Sequence, residues 1–368
     1  MLGFGCMRLP VHDGDVARIN EEESTRMLRK AIDRGLNYID TAWPYHGGMS
    51  EAFVGRALQE GYRDKVKLAT KLPSWLIEKE ADMDSYLDQQ LERLQTAQID
   101  YYLVHALNPS YWKTLKEHRL FAFLDRALAD GRIRNAGFSF HDELDLFKEI
   151  VDAYHWDFCQ IQYNYLDEEY QAGKEGLEYA ASKGMGVVIM EPLRGGALAG
   201  DLPEEVNQAF SLTSTAKSPV AWSLNWIWNH PGVSIVLSGM STMEQVEENL
   251  ALADRLPDPP LDAKDLQIVE EVKELFRKRI RVNCTQCYYC MPCPHDIHIP
   301  RNFFYFNDHA KFDSEAGKNR VRFIYGVSLK EHERASQCIE CGECLEKCPQ
   351  HIPIPDRLKE VAELFEQK

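Results

Sequence analysis

The chain has 368 residues, 44% hydrophobic and 27% charged, the composition of a folded globular protein with room for one large domain and a smaller one. Its formal net charge of -16 is repelled by phosphate backbones, which excludes nucleic acid as an expected partner. No apolar run approaches the ~20 residues of a membrane span, and the start, Met1 to Cys6, lacks the basic and long apolar regions of a secretory signal, so a cytoplasmic protein is expected.

From residue 1 to about 255, short β-like runs alternate with amphipathic helical ones. Strands are expected at Leu2–Cys6, Asn37–Ile39, Val66–Thr70, Tyr101–Val104, Asn135–Phe138, Phe158–Gln162, Gly186–Met190 and Ser234–Leu237. Helical patterns lie between them, at Glu22–Arg34, Ser50–Gln59, Met83–Gln95, Phe121–Ala129, Glu143–Ala153, Gly173–Ser182, Pro219–Asn229 and Met243–Ala253. Gly35, Gly61, Gly131 and Gly184 stand near helix ends, where a left-handed cap is wanted. This alternation over roughly 250 residues is that of a (β/α)8 TIM barrel. A doubly wound open sheet is the competing fold, but it wants a glycine-rich turn, and G-x-G-x-x-G is absent.

A barrel predicts that catalytic groups come from the carboxyl ends of several strands. Asp40 and Tyr45 follow the expected second strand, Lys71 the third and His105 the fourth. Each has a structural reading, as a rim ion pair or a satisfied histidine. Together, at matching strand ends, they form a candidate proton-transfer set. A tyrosine with its usual pKa near ~10 is a poor acid or base at neutral pH. A buried ammonium lowers that pKa, a carboxylate holds the ammonium, and a histidine can hydrogen-bond a substrate oxygen. Such a set suits protonation of a carbonyl oxygen as hydride reaches its carbon, or the reverse.

Several segments, in order, resemble the aldo-keto reductase family. They are Gly3 to Pro10 (GFGCMRLP), Tyr38 to Tyr45 (YIDTAWPY), Ser50 to Leu58 (SEAFVGRAL), Leu68 to Lys71 (LATK), Asp100 to His105 (DYYLVH), Gly137 to Ser139 (GFS) and Gly239 to Asn249 (GMSTMEQVEEN). The resemblance covers about the first 255 residues. It implies a (β/α)8 barrel with a nicotinamide cofactor, Tyr45 as general acid/base and Asp40, Lys71 and His105 as its supporting set. It also implies that Ser139 and Gln160 face the nicotinamide carboxamide. Gly239, Met240, Ser241, Gln245, Glu248 and Asn249, in and after the last strand's loop, would hold the adenosine end, with a helix start offering amides to phosphate.

Some positions depart from the family pattern. Phe140 stands where an asparagine is usual, and Met190 where an aromatic stacks on nicotinamide. The basic pair that clamps a 2′-phosphate is replaced by Gly239 and Gln245, so NAD(H) is favoured over NADP(H). The family's N-terminal hairpin is missing before Leu2; the barrel floor is then open, or covered by the tail, or the natural chain starts earlier than this sequence. Arg194, after the seventh strand, is a candidate for meeting an anionic substrate or a cofactor phosphate. Trp43, Trp75, Tyr111 and Trp112 lie in rim loops, as an aromatic wall or as loop packing.

Leu256 to Pro260 (LPDPP) breaks the pattern and marks a boundary, so that residues 256–283 read as a linker and connecting helix. Residues 284–368 hold Cys284-x2-Cys287-x2-Cys290-x2-Cys293-Pro294 and Cys338-x2-Cys341-x2-Cys344-x3-Cys348-Pro349. The second run has the two-cluster ferredoxin spacing, so two [4Fe–4S] clusters are expected. Zinc would use paired C-x2-C with longer gaps. The ferredoxin rule assigns Cys284, Cys287, Cys290 and Cys348 to one cluster, and Cys338, Cys341, Cys344 and Cys293 to the other. The first run is one residue short before Cys293. The insertion 294–337 is helix-compatible and resembles the helical ferredoxin type, a small, mostly helical dicluster domain.

Nicotinamide moves two electrons as hydride and a [4Fe–4S] cluster moves one at a time, so their direct exchange wants a mediator. No flavin motif is evident, though a flavin remains an open cofactor. Three readings follow. The barrel interconverts a small-molecule carbonyl and alcohol while the clusters exchange electrons with a redox partner protein. Alternatively, the barrel is a self-sufficient NAD(H) reductase with structural or docking clusters. In the third, Tyr45 and Lys71 perform non-redox acid/base chemistry such as elimination.

Overall fold

A computed structural model describes residues 1–200, 202–212, 217–255, 261–284 and 288–366. The chain forms two compact units: Met1–Pro192 with Ala221–Leu261, and Leu193–Val220 with Asp262–Lys368.

The first unit is a closed, all-parallel barrel of β1 (Leu2–Gly5), β2 (Tyr38–Asp40), β3 (Lys67–Leu72), β4 (Ile99–Leu107), β5 (Ile133–Phe140), β6 (Phe158–Gln162), β7 (Gly186–Met190) and β8 (Ile235–Ser238). Closure is made by β1 pairing with β8, in the register Leu2 to Val236 and Phe4 to Ser238. The helices between strands are α1 (Glu21–Asp33), α2 (Ser50–Ala57), α3 (Glu80–Arg93), α4 (Pro109–Glu117), α5 (Leu120–Ala129), α6 (Leu144–Ala153) and α7 (Gly173–Ser182). The later helices are α8 (Glu204–Phe210), α9 (Pro219–Trp228), α10 (Met243–Ala253), α11 (Ala263–Arg277), α12 (Ile299–Ala310), α13 (Glu315–Ser328) and α14 (Ile354–Phe365).

Local chemistry sets these limits. Asn20 caps α1 by accepting from the Glu23 amide, and three glutamates occupy the first turn. Gly35, Gly61, Gly131 and Gly184 all take left-handed φ, as expected from their places near helix ends.

Inside the barrel, Tyr38, Ala69, Leu103, Phe158, Val188, Ile235 and Leu237 form one buried apolar cluster. Strand side chains alternate faces, so the residue two further on points inward again. Two residues beyond Tyr38, Ala69, Leu103, Phe158 and Val188 stand Asp40, Lys71, His105, Gln160 and Met190. The polar set is therefore the next layer of the same barrel, seated on an apolar floor.

The second unit packs α12 with α13 and α14 around a core that includes Cys290, Cys293 and Cys348. Tyr325 of α13 stacks on Phe365 of α14 with ring centroids 4.4 Å apart. Where the sequence assigns residues 193–220 to the barrel, the structure places them here. The reason lies in their partners: Glu205 of α8 pairs with Arg279, Lys217 with Asp265, and Arg194 with Asp308.

Candidate functional site

Lys71 is fully buried. Its Nζ lies 2.8 Å from both Asp40 carboxylate oxygens, 2.8 Å from the Thr41 carbonyl and 3.2 Å from the Tyr45 hydroxyl. All of its donors are thus directed at this site. Asp40 ends β2, and Lys71 lies within β3 rather than after it. Tyr45 opens a tight turn in which His46 and Gly47 take left-handed φ, of 55° and 62°. His46 pins that turn: its Nε2 accepts from the Leu9 amide and its Nδ1 contacts the Val16 carbonyl.

Burial lowers the Lys71 pKa, but Asp40 and Tyr45 together outweigh it, so the ammonium is held above its usual range. Burial raises the Asp40 carboxyl, with Lys71 opposing. Tyr45 corrects an expectation. Burial pushes its hydroxyl upward more strongly than Lys71 pulls it down, and Asp40 adds to the rise. At neutral pH Tyr45 is a protonated donor rather than a phenolate.

His105, on β4, is half-buried. Its ring lies 6.3 Å from that of Tyr45 and 5.2 Å from that of Trp75. Burial first, then Lys71, hold its pKa well below the usual value, so the imidazole is neutral. Its buried Nδ1 has no hydrogen-bond partner among the described residues. A buried network supports Lys71 from behind. Gln90 donates to the Lys71 carbonyl at 3.0 Å and to Glu51 at 2.6 Å, and Thr70 donates to Glu51 at 2.7 Å.

Ser139 and Gln160 are paired neighbours on β5 and β6. The Ser139 hydroxyl accepts from the Ala106 amide at 2.8 Å. Gln160 reaches the Met190 sulfur at 3.6 Å, while its buried Oε1 has no partner among the described residues. An orphaned amide oxygen beside a serine fits the carboxamide of a nicotinamide. Phe140 is fully buried and packs on Phe147 at 5.3 Å, because strand alternation turns it outward. One residue past β5 stands His141, which sequence reading missed. Burial lowers its pKa, with Glu191 opposing and Lys71 adding to the fall.

Around β8, Met240 is buried, and Asn249 donates to Ser238 at 2.9 Å. The Ser241 amide donates to Gln245 at 2.8 Å, and the Ser241 hydroxyl donates to the Arg8 carbonyl at 2.6 Å. Gln245 and Glu248 are exposed on α10, and Gly239 lies under the Arg8 side chain. Arg194, expected to meet an anion, is instead buried in the second unit, 2.7 Å from Asp308, so its charge is committed to a carboxylate. Of the rim aromatics, Trp75 faces His105, whereas Trp112 is buried and donates to Glu149, and Trp43 packs on Tyr86.

In the second unit, Cys293, Cys338, Cys341 and Cys344 line one pocket. Burial and the neighbouring Cys338, Cys341 and Cys293 push Cys344 up to about 11. Cys284 and Cys348 line a second pocket, and Cys290 borders both. Cys287 lies outside the described residues. No three ligand side chains converge as for a single ion among the described residues. Four thiols facing one pocket, and three described thiols facing the next, fit the donor set of multi-atom iron–sulfur clusters.

The closed barrel and its buried polar layer define an oxidoreductase-type (β/α)8 enzyme, joined to a cysteine-rich helical unit. The chain belongs to the aldo/keto reductase family, whose pattern it matches over residues 1–274, and it carries a 4Fe–4S dicluster domain over residues 283–352. It is an iron–sulfur oxidoreductase. It is 28% identical to L-galactose dehydrogenase of Arabidopsis thaliana over 74% of this chain and 90% of that relative. It is 30% identical to the aldo-keto reductase YhdN of Bacillus subtilis over 62% of this chain and 78% of that relative. Among solved structures it resembles the aldo-keto reductase AKR11C1 of Bacillus halodurans (holo form), with 26% identity, a TM-score of 0.62, and coverage of 74% and 91% of the two chains. A Klebsiella pneumoniae aldo-keto reductase in complex with NADPH matches at 25% identity and a TM-score of 0.59, covering 74% of this chain and 90% of that one. No helix among the described residues is long and apolar enough to cross a membrane.

Proposed function

We propose that the barrel interconverts a small-molecule carbonyl and its alcohol, with Tyr45 as general acid/base. The observation that carries this is the buried Lys71 ammonium, 3.2 Å from the Tyr45 oxygen and clamped by Asp40 at 2.8 Å. In the reducing direction, Tyr45 gives its proton to the carbonyl oxygen, and Lys71 stabilises the phenolate left behind. Asp40 keeps Lys71 charged and in place. Neutral His105 holds the same substrate oxygen from the other side, across the gap between the two rings. Ser139 and Gln160 would hold the cofactor carboxamide, and Gly239, Met240, Ser241, Gln245, Glu248 and Asn249 its adenosine end. A nicotinamide dinucleotide, when bound there, supplies or accepts the hydride. The sequence preference for NADH rests on uncharged Gly239 and Gln245, and the charge near Gly239 decides it.

Cys284, Cys287, Cys290 and Cys348 would hold one [4Fe–4S] cluster and Cys293, Cys338, Cys341 and Cys344 the other, in a cytoplasmic, reducing setting. The clusters, when bound, supply one-electron exchange with a redox partner protein. Cys290, Cys293 and Cys348 also belong to the second unit's own core, which favours a structural role beside the redox one.

Tyr45→Phe tests the site. Over a panel of aldehydes and dicarbonyls, kcat should fall by about 10²–10⁴-fold. Nucleotide affinity, read by fluorescence titration, should stay nearly unchanged, because the ring remains. Full retained activity would refute the assigned role of Tyr45.

A further inference from the structure

The end of β1 abuts the end of β8, with Phe4 in register with Ser238. Beyond that pairing, Arg8 lies over Gly239: a Cβ built on Gly239 would meet the Arg8 stem at 3.1, 3.3 and 3.4 Å, along Cδ, Cγ and Cβ. The Arg8 backbone is tied to the same loop, because its carbonyl accepts from the Ser241 hydroxyl at 2.6 Å. The side chain is exposed and makes no ion pair among the described residues. Gly239 thus supplies room rather than a contact, and the room is filled by a cation from the opposite end of the sequence.

The charges around it give that cation a purpose. The first turn of α10 carries Glu244, and the side chain of Gln245 is engaged with the Ser241 amide. Left alone, this loop would repel a phosphate dianion. A guanidinium with no carboxylate paired to it offsets the Glu244 charge, and its fork matches phosphate geometry.

We propose that Arg8, reaching over Gly239 from the end of β1, meets the additional phosphate of NADPH and lets the barrel bind NADPH where Gly239 and Gln245 alone would restrict it to NADH. The inference rests on the barrel being a nicotinamide site. It makes Arg8 a specificity residue, and Gly239 the residue that gives Arg8 its place.

The test is equilibrium binding of NADPH and NADH, by fluorescence titration of the anaerobically purified, cluster-loaded full chain. Arg8→Ala should weaken NADPH on the order of ten- to a hundredfold, the scale of a lost hydrogen bond to a charged group. NADH should change by less than about threefold, the spread of a contact that matters little. Exposed Arg8 supports no core, so circular dichroism and cluster absorbance should stay as in the parent. Removing Arg8 also frees the space above residue 239. In the Arg8→Ala background, Gly239→Lys should therefore recover NADPH affinity, whereas Gly239→Lys in the parent should not improve it, because the two stems compete. Unchanged NADPH affinity in Arg8→Ala, or equal weakening of both nucleotides, overturns the assignment of Arg8 while leaving the nicotinamide reading intact. A parent protein that binds neither nucleotide overturns both.

Discussion

Lys71 donates to both oxygens of Asp40, and that pairing limits what it does for Tyr45. A lone ammonium 3.2 Å from a phenol would pull its pKa down. Paired with a carboxylate, it presents a dipole with a weaker pull, and burial then wins, so Tyr45 is shifted upward. The sign for catalysis follows. With Tyr45 as the proposed general acid, reduction would require it protonated, and a raised pKa keeps it protonated past the ordinary tyrosine value. The reduction kcat should stay flat through neutral pH and fall only above about pH 10. Oxidation requires the phenolate and should still be rising there. His105 is shifted down, so it becomes charged only at pH values below its usual ~6.5, and any acid limb belongs there. Rate profiles in both directions, with hydride transfer observed directly, check this. Loss of reduction beginning near pH 7 would mean that Lys71 dominates Tyr45 after all.

At the scale of elements, the site depends on how closely α2 approaches α3, because Gln90 of α3 donates to the Lys71 carbonyl and also to Glu51 of α2. Gly55 permits that approach: a Cβ there would lie 2.4 Å from the Arg93 carbonyl oxygen and 2.8 Å from the Leu94 carbonyl carbon. Helix propensity favours alanine over glycine by about 0.8–1.0 kcal/mol. Rigid backbone cannot yield to the new methyl, and overpacking costs about 1–3 kcal/mol, so the clash wins. Gly55→Ala should destabilise the barrel and lower its kcat. Gly326→Ala, in α13 where a Cβ meets nothing within 4 Å, should stabilise its unit instead. Calorimetry giving shifts of the same sign for both would contradict this. Strand positions were legible because Val, Ile, Leu and Tyr mark them, and period-two alternation then carries Tyr38 to Asp40 and Ala69 to Lys71. Lys71 and His105 lie within longer strands than their apolar runs suggest, since inward polar residues break the run without ending the strand. Arg8 over Gly239, the Glu51–Gln90 brace and the Arg194–Asp308 pair were not legible. Each joins positions far apart in sequence, and local pattern carries no sign of which cation meets which carboxylate.

At the scale of the whole molecule, the cysteines carry the sharpest question, because sequence proximity and spatial proximity disagree. Cys293 belongs to the first run, yet it shares a cavity with Cys338, Cys341 and Cys344, and it acts on the Cys344 thiol. Cys348 belongs to the second run, yet it lines a cavity with Cys284 and Cys290. The chain thus crosses between two cavities, so each cluster would tie both runs together and close the loop formed by α12 and α13. Serine is a poorer ligand for iron than thiolate, so one substitution should empty one cluster. Pairs of substitutions then separate crossed from uncrossed assignment. With crossing, Cys293→Ser combined with Cys344→Ser affects a single cluster and should leave about half the iron. Cys293→Ser combined with Cys348→Ser affects both clusters and should leave almost none. If each run kept its own cluster, the first pair would remove both clusters, no less than the second. Iron and sulfide content, with the electron paramagnetic resonance of the reduced protein, distinguishes these outcomes. The barrel gives the control: its core contains none of these cysteines, so nucleotide binding should persist in every variant. Loss of binding in step with iron would show that the barrel fold depends on the clusters.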